Sequence, residues 1–342
     1  MKILYVSAFR KKVKTNNTLR VESLRGLGNN VEIFDETPYI YRFGRFSSRA
    51  LHHFNLELLV KAASTDLIKQ ATVFKPDLIW FDKGRFIPKP ALLGIRETIP
   101  KIKLVHYNPD DPFGHQKINW SMFIKAIPEY DVHLIPNAIA EDDYRSRGAK
   151  KIIVFDRSFS PSIHRPLSPS QADQEKFGAR VGFIGSWAPA REAAIAHLIQ
   201  RGIPVAVYGV QWNKGKHWEV IRPHYRGPSQ WGDDYAKAIG GMDIALHFLR
   251  QENRDEQDSR TFEIPACRTF MLAERSPAHE RLFTENKEAV FFDTVDELEQ
   301  KVRYYLENPK EREKIAENGY QKCWSAGYDH CSRLKQLLNH VT

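Results

Sequence analysis

The chain has 342 residues, 42% hydrophobic and 27% charged, with 51 Lys and Arg against 42 Asp and Glu for a net charge of +9. This composition excludes a disordered chain, and the length allows two domains each with its own core. No apolar run approaches a bilayer span, and the three cysteines (Cys267, Cys323, Cys331) show neither metal-ligand spacing nor a disulfide framework, which points to a reducing cytoplasm.

Met1–Ser7 is an apolar run without alternation, as expected of a strand buried on both faces of a parallel sheet. It is followed by Arg10, Lys11 and Lys12, which are not the flanks of a signal peptide. Leu19, Leu24 and Leu27 then fall at helical spacing before Gly28, and Val31–Phe34 reads as a second strand, a βαβ opening without a GxGxxG loop. A long helical pattern up to Phe74 (Leu59, Val60, Ala63, Leu67, Ile68) feeds a strand at Asp77–Phe81. Two more strands are predicted at Lys103–Tyr107 and Val132–Pro136. Between these two lies NPDDPFG, Asn108–Gly114, directly after a strand on the edge where catalytic groups collect. Pro109 and Pro112 stiffen it and hold Asp110 and Asp111 in one place, where a carboxylate is set to accept the proton of an attacking hydroxyl. The same residues also suit an Asx-type turn with solvated carboxylates.

A strand at Lys151–Phe155 closes this half, and the Ser- and Pro-rich stretch Arg157–Gly178 has linker composition. The second half opens on the strand Arg180–Gly185 and the turn SWAPARE, Ser186–Glu192, where Gly185 and Ser186 leave space beside the backbone and the next helix offers free amides for a phosphate. A strand at Pro204–Gly209 is followed by loops carrying Trp212, Lys214, Tyr225 and Trp231. A strand at Ile244–Leu249 leads into DEQDSRTFEIPACRTFMLAE, Asp255–Glu274. Here Ser259 is expected to cap a helix that Pro265 keeps short, with Asp255 and Asp258 near its positive end and a strand at Thr269–Leu272. Charged helices follow, and Leu334, Leu337, Leu338 and Val341 make the final helix amphipathic.

SRTFEIPACRTFMLAE resembles the signature of the CgeB-type glycosyltransferases, which share the GT-B fold with many nucleotide-sugar enzymes. The resemblance implies an α/β chain of two Rossmann-like domains facing an interdomain cleft: an acceptor-side domain at 1–165, a linker at 166–178, a nucleotide-sugar domain at 179–325, and a C-terminal helix at 326–342 crossing back to the first. It implies that Glu263 hydrogen-bonds the ribose, that Asp255 faces the donor sugar, and that Ser259, Arg260 and Thr261 line the nucleotide sugar with Gly185 and Ser186. Arg191 and Lys214 match the positions of cations that neutralise a diphosphate, and a guanidinium's fork suits two phosphate oxygens. His106, Asp110, Asp111 and His115 form the pool for the reaction centre, and Arg10, Lys11 and Lys12 line the acceptor side. Arg268 stands where the family commonly has a glycine supplying a left-handed turn.

The function this implies is transfer of a sugar from a nucleoside-diphosphate sugar, the co-substrate, to a hydroxyl acceptor on a glycan, lipid or protein. Neither a metal nor a resident cofactor is required on this account. A non-catalytic nucleotide-sugar binder and a sugar-nucleotide epimerase of the same fold are the alternatives. Residues 1–171 hold 27 Lys and Arg against 17 Asp and Glu, while the remainder hold 24 against 25. The basic half suits an acidic or lipid-linked acceptor, or peripheral contact with the anionic inner face of a membrane. Nucleic acid is disfavoured, because no binding module and no basic stripe with interleaved aromatics occurs.

Overall fold

The apolar runs read as doubly buried strands all lie in parallel sheets, where each strand has helices on both faces and no face left for polar alternation. The computed structural model describes residues 1–10, 13–40, 48–115 and 119–341, so Lys11 and Lys12 lie outside the described residues. In the first unit β1 (Lys2–Ser7), β2 (Asn30–Asp35), β3 (Leu78–Asp82), β4 (Lys103–Tyr107), β5 (Val132–Ile135) and β6 (Ile152–Val154) are ordered β2-β1-β3-β4-β5-β6. Every pairing is parallel. Alternate side chains of one strand serve opposite cores: Leu4, Val6, Ile79 and Phe81 pack on one face, and Ile3, Tyr5, Leu78 and Trp80 on the other. Burying each large apolar side chain in this way contributes roughly 1.5–3 kcal/mol.

The second unit holds β7 (Ala179–Ile184), β8 (Val205–Tyr208), β9 (Tyr225–Gly227), β10 (Met242–His247), β11 (Phe270–Glu274) and β12 (Val290–Phe292), ordered β12-β11-β10-β7-β8-β9 and again parallel. Counted from its first strand, this is the doubly wound 3-2-1-4-5-6 order, which reverses between β7 and β10. In the first unit the order reverses between β1 and β3. Ligands of open α/β sheets sit outside the carboxyl ends of the strands at such reversals, so each unit has one defined place to search.

The first unit spans Met1–Asp156 and takes in Glu252–Arg254 and the chain from Leu334 onward; the second spans Arg157–Gln251 and Asp255–Arg333. The chain thus leaves the first unit at Asp156, where the linker-like composition begins and before the boundary at 165 that the resemblance implies. Local bonds explain this, since Phe159 bridges to Asp329 and the Ser158 hydroxyl bonds His330 at 2.6 Å. The linker-like stretch also contains a helix, Gln171–Phe177, started by a reciprocal capping box between Ser170 and Asp173. Leu334, Leu337, Leu338 and Val341 of the last helix, His330–Val341, pack in the same cluster as Ile3, Tyr5 and Trp80.

Pro265 lies inside the helix Arg260–Ala266, which is seven residues long as its ring and missing donor require. The chain then reverses through Arg268 at φ +61°, the left-handed conformation a glycine would supply. Its side chain is 57% exposed and pairs with Glu317, so that ion pair offsets little of the backbone cost. Arg268→Gly is expected to leave the fold unchanged and raise stability by up to about 1 kcal/mol. Urea denaturation checks this, and a loss of stability would show that the Glu317 pair dominates.

Candidate functional site

In the second unit, the carboxyl ends of β7 and β10 bring several charged side chains together. The helix Pro189–Gln200 begins with Pro at its first position, and Ala188, its cap residue, has no side-chain acceptor for the first-turn amides. Arg191, in that first turn, is 3% exposed and spans the sheet reversal: its guanidinium donates to the Ser186 carbonyl at 3.2 Å, after β7, and to the Phe248 carbonyl at 2.9 Å, after β10. Its Nε has no partner among the described residues. Burial, then the neighbouring Arg260, lowers its pKa to about 10, which still leaves it charged at neutral pH. Arg260 donates to the Ile184 carbonyl at the end of β7, so two cations stand at one strand end.

The turns around them are stitched closely. Gly185 donates to the Tyr208 carbonyl at 2.9 Å and accepts from Trp212 Nε1 at 2.9 Å. Gly209, at φ +141°, lies so near that a Cβ there would sit 1.9 Å from the Gly185 oxygen, so glycine is required. The space beside Gly185 itself is not open as its sequence context suggested: a Cβ would fall 2.5 Å from the Phe183 ring. Packing, rather than room for a phosphate, dictates that glycine. Ser186 is exposed, as is Lys214, on a loop whose end is tied to Glu192 through the His217 amide. Trp212 and Tyr225 are structural, the Tyr225 hydroxyl donating to Gly209 at 2.8 Å, while Trp231 is 41% exposed.

The carboxylates expected to meet the donor are already engaged. Asp255 accepts from Arg250 Nε at 3.0 Å and lies 3.6 Å from Arg157, with its side chain enclosed. Glu263, 6% exposed, accepts from the Tyr235 hydroxyl and lies 3.6 Å from His164 Nε2. Burial and Glu263 together raise the Tyr235 pKa far above its ordinary value, so the phenol stays protonated and donates. Ser259 does not cap the helix, because it is itself helical (φ −59°, ψ −34°); Asp258 takes that role, accepting from the Arg260 amide at 2.6 Å. Thr261 faces inward, fully buried, and its hydroxyl accepts from the Asp258 amide at 3.1 Å and bonds His279 at 2.9 Å. It therefore ties the loop to the strand-following helix that carries His279. Asp258 also bonds Arg260 Nη1 at 2.8 Å and His247 Nε2 at 2.9 Å. Burial works against its charge, but Arg260 and His247 outweigh it and keep the carboxyl well below its ordinary pKa. Arg157, Arg250, His247 and Tyr235 escape a sequence reading because none adjoins the motif in a fixed period.

In the first unit the loop after β4 behaves as a turn. Asn108 accepts from the Asp110 amide at 3.2 Å, and Asp111 from the Phe113 amide at 2.9 Å. Asp110 pairs with Lys83. Asp111 is 2% exposed; its second oxygen accepts from Arg254, which also holds Asp143 at 2.7 Å, and its amide donates to Asn253 at 2.8 Å. His106, expected in the reaction centre, is packed as a core residue: fully buried, stacked on Phe123 at 4.2 Å, with Nε2 at 2.9 Å from the Lys83 carbonyl. Burial depresses its pKa and keeps the ring neutral. His115 is exposed. Among the described residues no group of three or more His, Cys, Asp or Glu is placed to hold a metal, and no helix is long and apolar enough to cross a membrane.

A family described as glycosyl transferase-like matches residues 191–339. The chain is 22% identical over 296 residues to spore protein CgeB of Bacillus subtilis, covering 82% of this chain and 88% of that one. Among solved structures, Anabaena HepE in complex with UDP-glucose aligns over 99% of both chains at TM-score 0.66 and 13% identity. Sucrose-phosphate synthase from Thermosynechococcus elongatus aligns over 99% of this chain and 98% of its own at TM-score 0.70 and 12% identity. The two parallel six-stranded sheets are those of the GT-B fold.

Proposed function

We propose that this chain, a CgeB-type glycosyltransferase of the GT-B fold, takes its sugar from a uridine-diphosphate donor and passes it to a hydroxyl acceptor, with side-chain cations and amides in place of a metal. The observation that carries the reading is the placement of Arg191 across the β7/β10 reversal, beside Arg260 and an uncapped helix start. Negative charge develops on the departing diphosphate, and fixed cations and amides in a buried setting stabilise it without reorganising at the moment of reaction. Among the described residues no carboxylate is bonded to Arg191, so its charge is available to a ligand.

Glu263 and Tyr235 support the nucleotide end. A carboxylate held between a phenol and His164 presents oxygen acceptors in a fixed direction, which suits the paired hydroxyls of a ribose. HepE, with 99% of its chain aligned here, binds UDP-glucose, and that supports uridine as the base. The basic surplus of the first 171 residues supports an acceptor that is acidic or lipid-linked.

A thermal-shift panel of nucleoside diphosphates and their sugars tests the reading. UDP and one UDP-sugar should raise the melting temperature at ligand concentrations far above Kd, by an increment set by RT ln(1 + [L]/Kd). Glu263→Gln should remove about 1–2 kcal/mol of nucleotide affinity, as loss of one charge-assisted bond does. A flat panel would sink the donor assignment; an unchanged affinity in Glu263→Gln would remove only the ribose contact.

A further inference from the structure

Glu36 follows β2 directly, and its amide donates to the carbonyl of Ser7, the last residue of β1, at 2.9 Å. It therefore stands next to the strand at which the first sheet reverses, between β1 and β3, where ligands of such sheets seat. The neighbouring turn is held rigid around that place. Phe9 donates to Asp35 at 3.2 Å and to Thr37 at 2.9 Å, and Asn17 donates to Ser7 Oγ at 3.0 Å and to the Ala8 carbonyl at 2.9 Å. Glu36 is 4% exposed, and its Oε1 has no hydrogen-bond partner among the described residues. Leaving a carboxylate oxygen buried and unbonded is costly. The other buried carboxylates of this edge are engaged: Asp82 by Tyr5 and by Arg20 at 2.7 Å, Asp111 by Arg254 and Phe113.

We infer that Glu36 receives the proton of the acceptor hydroxyl, at a hydroxyl-binding place on the carboxyl edge of the first sheet. The assignment rests on the glycosyl-transfer reading. In the step, the acceptor oxygen bonds the anomeric carbon, and the bond from that carbon to the diphosphate breaks with its electron pair leaving on the diphosphate. The hydroxyl proton passes to the Glu36 carboxylate and from there to solvent. The groups around Glu36 set its readiness for this. Burial raises its pKa to about 8, Asp82 and Asp35 add to the rise, and Arg85 opposes it. Tyr130, whose own proton is held more tightly by burial and by Glu36, adds no charge. A base that titrates near the working pH combines a usable deprotonated fraction with a real affinity for the proton.

Carboxyl-carbon NMR of the full chain, with Glu36→Gln as the assignment control, should show one resonance that the variant lacks and that titrates near pH 8. With the donor selected by the thermal-shift panel, diphosphate release should rise with pH through the same midpoint. Glu36→Gln should be at least about a hundredfold slower with that limb gone and donor affinity within about twofold. Glu36→Asp should restore the limb at a reduced rate. The folded state holds this proton between pH 4.5 and about 8, so the charge costs stability only as pH rises through that window; Glu36→Gln should therefore melt above wild type at pH 9. A resonance titrating in the ordinary glutamate range, or a wild-type pH profile in Glu36→Gln, overturns the assignment alone. Wild-type protein that turns over no donor overturns the glycosyl-transfer reading and this assignment together.

Discussion

Arg191→Ala should reduce turnover of the donor by about a thousandfold, near the upper end for removing one preorganised charge donor from a developing anion. The substitution removes a guanidinium that meets both the β7 and the β10 strand ends. It also leaves the Ser186 and Phe248 carbonyls without that donor, a loss of about 1–3 kcal/mol in stability. The two effects separate in Arg191→Lys. An ammonium keeps the charge but cannot fork between two carbonyls and two phosphate oxygens, so the fold should be largely kept while most of the rate is still missing. Initial rates at saturating donor, paired with urea denaturation of each variant, decide the matter. If Arg191→Ala lost stability yet kept its rate, the arginine would be a staple between strand ends and the diphosphate would need another partner.

Arg254→Ala should destabilise the first unit by about 3 kcal/mol, because it strands an enclosed carboxylate. Asp111 has no exposed side-chain surface, and Arg254 is its ionic partner; Arg254 is itself 26% exposed, which keeps the effect at the lower end for a buried pair. The charge-assisted bond to Asp111 is the main reason the Arg254 pKa rises. Asp111→Asn should likewise act first on stability, since both carboxylate oxygens are accepting bonds within the unit. That differs from the role its sequence context suggests, a carboxylate set to accept the proton of an attacking hydroxyl, under which the same substitution lowers turnover with donor binding kept. The double variant Arg254→Ala, Asp111→Ala should cost less than the sum of the single changes, and denaturation of all four proteins measures the coupling. Additive losses would mean that the pair does not hold the loop.

Local chemistry made much of the architecture legible. Unbroken β-branched and aliphatic runs marked the strands, since a strand covered on both faces cannot alternate. Pro265 limited one helix to a short run; the left-handed turn after it, at Arg268, was not legible from an arginine standing where the family has glycine. The SRTFE stretch marked a short helix between two parallel strands of the second sheet. Each of these signals lives within a few residues, because backbone sterics and periodicity act at that range.

The assignment of partners was decided elsewhere. Asp111 and Arg254 are 143 positions apart, Arg191 and Phe248 are 57 apart, and Glu263 meets Tyr235 across 28. Which of two adjacent aspartates is enclosed, which serine or aspartate caps a helix, and which buried carboxylate is left without a bond all depend on what the sheet order brings alongside. A side chain's charge is written in the sequence; its desolvation and its partner, which fix what that charge can do, are set by the packing of strands distant in the chain.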